Sequence, residues 1–404
     1  MLDMKVLFVT ESLSLSKNTG VASTLVSLAR SLTQDLHIEL LAPMALQQER
    51  ADDLFLEGLA AHLFPQSRFL PRTVVPELGH FLSTQLSKFN LVHIHGLWRY
   101  PQWAAAHYAR KLSIPYIVSP HGMCEPFELA RKGWKKKVFF NLVEKHTLQN
   151  AAAIHAITAA EKEHCTQLQI GNVIEVIPHG VTIQSRLSPS QVQANLPDEI
   201  RAIPPQAPVL LYMGRLHPKK GLDLLLPAFA QILSRHSSAY LVLAGPDVVG
   251  YQDSLMQLAS SYQIEERVLF PGMVTGLQKQ AMLQRADVFT LPSYSEGFSA
   301  AILEALAAAK PVVISKYCYF DEVVNAGCGQ IVDTDVSQLA SALNDFLELS
   351  PDVRQGIGQC GRRLIEEKYT WDLAAHKMSM LYQSILSNKA TSIQDPSLFE
   401  SASL

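Results

Sequence analysis

Short runs rich in Val, Ile and Leu recur along the 404-residue chain, separated by longer segments. Val6–Val9, Ile38–Ala42, Leu91–Ile94, Tyr116–Ser119, Ala153–Ala156 and Val173–Ile177 form one set. Val209–Met213, Tyr240–Ala244, Val268–Phe270, Val288–Leu291, Val312–Ile314 and Gly329–Val332 form a second. Runs this continuously apolar suit parallel strands buried on both faces. Parallel strands need crossovers, and segments such as Ala22–Leu32 and Pro101–Leu112 are long enough to be helices. The pattern predicts an α/β protein with two doubly wound parallel sheets. Between the sets, Ser185–Pro208 is rich in Pro, Ser and Gln and reads as a linker with at most one short helix. The expected domains are 1–190 and 206–370, similar in size, and 389–404 is a patternless polar tail expected to be disordered. Ligands of such sheets bind beyond the carboxyl ends of the strands, and two such domains facing each other make a cleft.

Charge and cysteine usage narrow the partners. Lys and Arg number 34 and Asp and Glu 37, a formal net charge of -3, so there is no overall case for nucleic-acid binding. Cys124, Cys165, Cys318, Cys328 and Cys360 include no CxxC pair. That argues against a zinc ribbon or a disulfide framework and fits a reducing compartment. The opening MLDMKVLFVTES has too short an apolar run for a signal peptide. No run of about 18 uninterrupted apolar residues suggests a membrane span. A cytoplasmic protein is expected, with peripheral membrane binding left open.

DVFTLPSYSEGFSAAILEALAAAKPVVIS, Asp287–Ser315, reads as strand, loop, helix and strand. Ser299 is positioned as an N-cap, and Ala300–Ala308 consists of strong helix formers. Glu296 then lies in the loop and Glu304 in the second helical turn, so both can face one ligand at the helix N-terminus. That end offers free backbone N–H groups and a positive dipole, a ready anion site. Gly297 allows a close approach to the backbone. Carboxylates beside an anion make sense if they accept hydrogen bonds from neutral hydroxyls. A molecule with phosphates in the middle and polyols at both ends, a nucleotide sugar, fits both demands. The plainer reading is two ordinary helix-start carboxylates.

This segment resembles the E-x7-E signature of glycosyltransferase family 4, the group 1 retaining transferases of GT-B fold. MGRLHPKKGLDLLLPAFA, Met213–Ala230, is similar to that family's G-R-x-x-x-x-K-G segment. GVASTLVSLARSL resembles its first helix, and YTWDLAAHKM its closing crossover helix, which would return over 371–388 to the N-terminal domain. The resemblance covers nearly the whole chain. It implies two Rossmann-like domains, an acceptor-side one and a donor-binding one, facing a central cleft. It implies that Arg215 and Lys220 hold the donor diphosphate, beside Gly214, and that Glu304 accepts from the ribose. Glu296, with the backbone of Gly297, Phe298 and Ser299, would hold the hydroxyls of the transferred sugar. Cations aimed at a leaving diphosphate lower the barrier, Arg as a planar fork and Lys as a point charge. The implied chemistry needs neither metal nor cofactor.

In the first domain, SKNTGVAS has a single glycine, Gly20, where the family usually shows a pair. Gly20 is the candidate for the donor-side turn. VHIHGLW and IVSPHGM place His93, His95 and His121 at the ends of strands. The resemblance makes His121 a candidate contact to the transferred sugar, and His95 and Trp98 candidates on the acceptor side. The alternative for each is a structural residue at a strand end. Arg131, Lys132, Lys135, Lys136 and Lys137 surround Trp134 ahead of Phe139 and Phe140. Such a stretch can lie on an anionic membrane, as lipid-linked acceptors would require, or be a solvated helix with an apolar underside.

Two motif matches do not carry chemistry. GIGQCG, Gly356–Gly361, follows a polar segment rather than a strand and reads as helix, not as a dinucleotide loop. DTD, Asp333–Asp335, reads as a turn and an N-cap. The expected activity is transfer of a hexose from a UDP- or GDP-sugar to a hydroxyl of a glycan or lipid-linked glycan, in cell-surface polysaccharide synthesis. A sugar-nucleotide epimerase on the same fold, or a non-catalytic nucleotide-sugar binder, are the alternatives.

Overall fold

The computed structural model describes residues 4–13, 20–44, 56–66, 74–126, 129, 138–170 and 173–394, with side chains in the last helix described to residue 388. The chain divides into two compact units, Met1–Gly180 with Trp371–Leu404, and Val181–Thr370.

The first unit is built on a seven-stranded sheet in the order β3-β2-β1-β4-β5-β6-β7, with every pairing parallel. The strands are β1 (Lys5–Val9), β2 (His37–Pro43), β3 (Ala60–Phe64), β4 (Leu91–His95), β5 (Tyr116–Ser119), β6 (Ala153–Ala156) and β7 (Ile174–Val176). Strands β4, β5 and β6 are buried at every residue, as their unbroken apolar runs require. β3 was not among the expected strands. AAHLF sits at the sheet edge, half exposed, and lacks the continuous apolar signal of an interior strand. The helices are α1 (Gly20–Leu32), α2 (Pro76–Gln85), α3 (Tyr100–Lys111), α4 (Lys145–Gln149, preceded by the π-helical turn Phe140–Glu144) and α5 (Ala159–Gln167). Ala22, Leu25, Val26, Ala29 and Leu32 bury one face of α1, the i, i+3, i+4, i+7 spacing of a helix against a core.

The second unit carries a six-stranded parallel sheet in the order β10-β9-β8-β11-β12-β13. Its strands are β8 (Val209–Met213), β9 (Tyr240–Ala244), β10 (Val268–Leu269), β11 (Val288–Leu291), β12 (Val312–Ser315) and β13 (Gly329–Val332). Its helices are α6 (Pro189–Asn195), α7 (Asp198–Arg201), α8 (Leu222–Leu233), α9 (Gln252–Ser261), α10 (Gly276–Arg285), α11 (Ala300–Ala307), α12 (Glu322–Asn325), α13 (Val336–Glu348) and α14 (Pro351–Lys368).

Two boundaries differ from the expectation. The segment 185–208 is part of the second unit, not a linker: α6 and α7 lie in it, and Leu196, Ile200 and Ile203 enter that unit's core. Only Ile200 of the three lies within a helix; Leu196 follows the end of α6 in an extended conformation and Ile203 lies just beyond α7, so no single helical period marks them. The closing helix, α15 (Trp371–Gln394), runs past 388 into the segment expected as tail. Residues 395–404 lie outside the described residues. Ala374, Ala375, Met378, Leu381 and Tyr382 of α15 share a core with Leu25, Val26 and Leu28 of α1.

GIGQCG is helical, within α14. A Cβ on Gly358 would stand 1.9 Å from the carbonyl oxygen of Ala309, and one on Gly361 2.6 Å from Leu306. These glycines permit close packing of α14 on the end of α11. In DTD, the Asp335 carboxylate accepts from the N–H groups of Ser337 and Gln338 at 3.0 and 2.9 Å and caps α13.

Candidate active site

In the second sheet the strand order reverses between β8 and β11, the point beside which ligands of open α/β sheets bind. Gly214 and Arg215 leave β8 there. Gly214 donates its N–H to Ala244 O at 2.9 Å. Gly245, at φ +147°, lies so close that a Cβ would be 1.8 Å from Gly214 O. The Tyr212 hydroxyl donates to Arg215 O at 2.7 Å, which fixes the turn from beneath. The Arg215 side chain is exposed and makes no ion pair among the described residues.

The turn Pro218–Lys220 is tied to the loop after β11. Tyr294 donates its N–H to Lys219 O at 2.9 Å and its hydroxyl to Asp223 at 2.8 Å. Gly221 is the N-cap of α8 at φ +69°, and a Cβ would stand 2.0 Å from Pro292 O. Only glycine allows this approach, and it brings Lys220 to Glu296. The Lys220 ammonium donates to Glu296 Oε1, which also accepts from Ser293 Oγ at 2.6 Å. Glu296 is 7% exposed. Burial pushes its pKa up, but the Lys220 charge and the hydrogen bonds from Lys220 and Ser293 outweigh burial and hold it below the usual carboxylate range. Below it lies Cys318, whose thiol donates to Leu291 O and is pushed up to about 12 by burial and by Glu296. A thiol so held is not a nucleophile.

Gly297 and Phe298 follow in the loop, and Ser299 occupies the N-cap position of α11 without a capping side-chain hydrogen bond. The Phe298 ring packs against Phe320 and Tyr369, so the ring itself is structural. Glu304 lies in the second turn of α11 and accepts from Lys279 Nζ of α10 at 2.7 Å. Each of the two glutamates thus carries a lysine partner. Lys279 was missed from sequence: it comes 25 residues before Glu304, on a polar helix that no motif covers.

In the first unit the expected histidines prove to be part of a larger cluster. His95 Nδ1 lies 3.0 Å from His121 Nε2. His93 is fully buried between Tyr382 OH at 2.6 Å and Ser119 Oγ at 2.7 Å. Ser119 Oγ also meets His155 Nδ1 at 2.6 Å, and His155 Nε2 donates to Ile177 O at 2.7 Å. The rings of His121 and His179 stack at 5.4 Å. Burial, and then the neighbouring histidines, push His93, His95 and His121 well below the ordinary range. Burial brings His155 to about 4 and His179 to about 3. All five are neutral at pH 7. His95 is 1% exposed, so its ring is covered and meets His121 rather than the surface.

The backbone around these residues is strained. Gly96, Trp98, His121 and Gly122 have φ of +83°, +74°, +54° and +76°. Buried carboxylates hold both loops: Trp98 N–H donates to Glu144 at 2.8 Å, and Gly122 N–H to Glu161 at 2.6 Å. Burial raises Glu144 and Glu161 to about 7. Neither residue was singled out from sequence, although the Thr158-x-x-Glu161 spacing marks a helix start. Gly20 is the first residue of α1 and has open space around its Cβ position; residues 16–19 before it lie outside the described residues. Arg131, Lys132, Lys135, Lys136 and Lys137 also lie outside them; Val138, Phe139 and Leu142, which follow, are exposed. No helix among the described residues is long and apolar enough to cross a membrane.

Two parallel-sheet α/β units of this kind define a GT-B protein. The structure is similar to sucrose-phosphate synthase from Thermosynechococcus elongatus, with TM-score 0.76, 19% identity, and coverage of 95% of this chain and 100% of that one. It is also similar to Anabaena HepE, solved with UDP and glucose, with TM-score 0.75, 20% identity, and coverage of 94% and 100%. The family models for glycosyl transferases group 1 and for a glycosyl transferase 4-like domain match residues 197–364 and 19–180. The chain belongs to the group 1 glycosyltransferases. Among curated relatives, an uncharacterized glycosyltransferase of Methanocaldococcus jannaschii is 24% identical over 340 residues, 80% of this chain and 81% of the relative. A D-inositol 3-phosphate glycosyltransferase of Kineococcus radiotolerans is 27% identical over 325 residues, 75% and 73%.

Proposed function

We propose that this glycosyltransferase moves a hexose from a UDP- or GDP-sugar to a hydroxyl of a glycan or lipid-linked glycan, with retention of anomeric configuration and without a metal. The observation that carries this reading is the Lys220–Glu296 pair beside the β8/β11 switch point, with Arg215 at the adjacent strand end. Arg215 and Lys220 bind the diphosphate and take up the charge it gains as the bond from the anomeric carbon to its oxygen breaks. Glu296 and the backbone of Gly297, Phe298 and Ser299 hold the sugar hydroxyls, Glu304 the ribose, and Gly214 and Gly20 line the donor. His121 touches the transferred sugar, and Trp98 and His95 serve the acceptor side. The acceptor oxygen forms the new bond and gives its proton to the leaving phosphate, so no protein nucleophile is required. The binding of UDP and glucose by HepE supports a nucleotide-sugar donor.

We further propose a role in cell-surface polysaccharide synthesis, with the five basic residues before Val138 meeting the anionic inner face of the membrane. The exposed Val138, Phe139 and Leu142 support it. Sedimentation with anionic but not neutral liposomes, abolished by charge reversal of Lys135, Lys136 and Lys137, is the expected result. Equal behaviour in both liposomes removes this part.

The test of the donor site is a thermal-shift titration with UDP, GDP, ADP and NAD, with and without EDTA. Stabilisation by one nucleoside diphosphate, kept in EDTA and weakened in Lys220→Ala and Glu304→Ala, is expected. No stabilisation by any nucleotide at several millimolar overturns the assignment.

A further inference from the structure

We propose that Glu161 is a positioning residue for transfer: its buried carboxylate clamps the loop after β5 and so fixes the His121 imidazole. This rests on the reading of His121 as a contact to the transferred sugar.

Glu161 begins as an ordinary helix-start residue. Thr158 is the N-cap of α5, and its hydroxyl accepts from Glu161 N–H at 3.0 Å. With this T-x-x-E spacing, a capping box would send the glutamate carboxylate back to the N–H of Thr158. It goes elsewhere. Oε2 accepts from Ile157 N–H at 2.8 Å, at the end of β6. Oε1 accepts from Gly122 N–H at 2.6 Å, 39 residues earlier and one strand over. Gly122 follows His121, and both are left-handed. Such a conformation at a non-glycine residue holds only when its surroundings over-determine it. The Gly122 N–H is the handle by which this pair is held, and the carboxylate is the hand.

A capping role does not explain the burial. Glu161 is 2% exposed and has no ion-pair partner among the described residues. Desolvating a carboxylate without a cation is costly unless its hydrogen bonds are needed. The two it makes tie the ends of β5 and β6 to α5. His121 then meets His95 and stacks on His179, so the imidazole is held between two neighbouring rings.

The test compares wild type with Glu161→Ala and Glu161→Gln, the latter keeping one acceptor oxygen. Backbone hydrogen exchange over residues 119–126 should be at least tenfold faster in Glu161→Ala and intermediate in Glu161→Gln. Exchange over Lys220 and Glu296 should not change. Acceptor-free hydrolysis of UDP-glucose and GDP-mannose should lose about 10- to 100-fold in kcat, while KM and the affinity for UDP and GDP stay within threefold. Glu161→Gln should recover part of the loss. Unchanged exchange in a folded variant overturns the clamp. Faster exchange with hydrolysis within twofold of wild type overturns the positioning role and leaves a purely structural tie. Wild type that neither binds UDP or GDP nor hydrolyses either sugar overturns the functional reading itself, and exchange alone then decides the clamp.

Discussion

Lys220 and Glu296, 76 residues apart, form an ion pair in which the carboxylate is buried and its same oxygen also accepts from Ser293. The pair keeps a cation and an anion in one fixed place within the second unit. In the proposed donor site the cation would meet the diphosphate and the anion the sugar hydroxyls.

Removing one partner strands the other. Lys220→Ala leaves Glu296 buried and unpaired, a loss of about 3–5 kcal/mol. The double variant Lys220→Met/Glu296→Gln should lose clearly less than the sum of the single changes. Urea unfolding of the three proteins measures this, and strict additivity would show that the two residues are not coupled.

Gly221→Ala should be among the most damaging single-methyl changes in the chain. It adds a Cβ at φ +69° and 2.0 Å from Pro292 O. We expect a loss above about 1 kcal/mol in urea unfolding, with weaker stabilisation by UDP or GDP because Lys220 moves with the turn. Gly250→Ala, also at positive φ but with open space around it, supplies the comparison. Equal losses in the two would put the effect in backbone strain alone.

Glu304→Ala separates binding from folding. The Lys279–Glu304 pair is partly exposed, so its loss should change stability by about 1 kcal/mol or less. Affinity for the nucleoside diphosphate should fall about tenfold, the share of one charge-assisted hydrogen bond. Calorimetric titration reads this directly, and an unchanged affinity removes Glu304 from the ribose site.

The buried histidines predict acid sensitivity in the first unit. Their pKa values are depressed, so the unfolded chain takes up protons first as pH falls below about 6.5. Each then lowers stability by about 1.4 kcal/mol per pH unit until its folded pKa is reached, about 4 for His155 and about 3 for His179. Glu144 and Glu161 act oppositely between about 7 and the ordinary carboxylate range, because the folded state takes up their protons first. Five histidines outweigh two carboxylates, so hydrogen-exchange protection of β4 and β5 should fall between pH 6.5 and 5. Constant or rising protection over that range would contradict the arrangement.

Much of this was legible in the sequence because its signals are local. Twelve of the thirteen strands appear as apolar runs, and Glu296 reads as a loop residue because Pro292 and Gly297 bracket it. What was not legible depends on contacts between distant residues. Nothing near Lys279 announces Glu304, and nothing near Glu161 announces Gly122. His93 and His95 were visible at a strand end, but their burial depends on Phe8, His155 and Tyr382, from three other elements. Leu196, Ile200 and Ile203 were concealed because prolines and serines dominate the segment by count, and the three reach the core from two short helices and their ends rather than from one periodic helix.

The bond from Tyr382 to His93 spans 289 residues. During synthesis, β4 and its histidines emerge early, but the helix that covers them follows only after Val181–Thr370 has been made. At about 5–20 residues per second, those 190 residues take roughly 10–40 s. For that interval Leu25, Val26 and Leu28 have no α15 to pack against. The nascent first unit is then a client for whatever shields apolar surface at the ribosome, and a pause in translating the second unit prolongs that exposure.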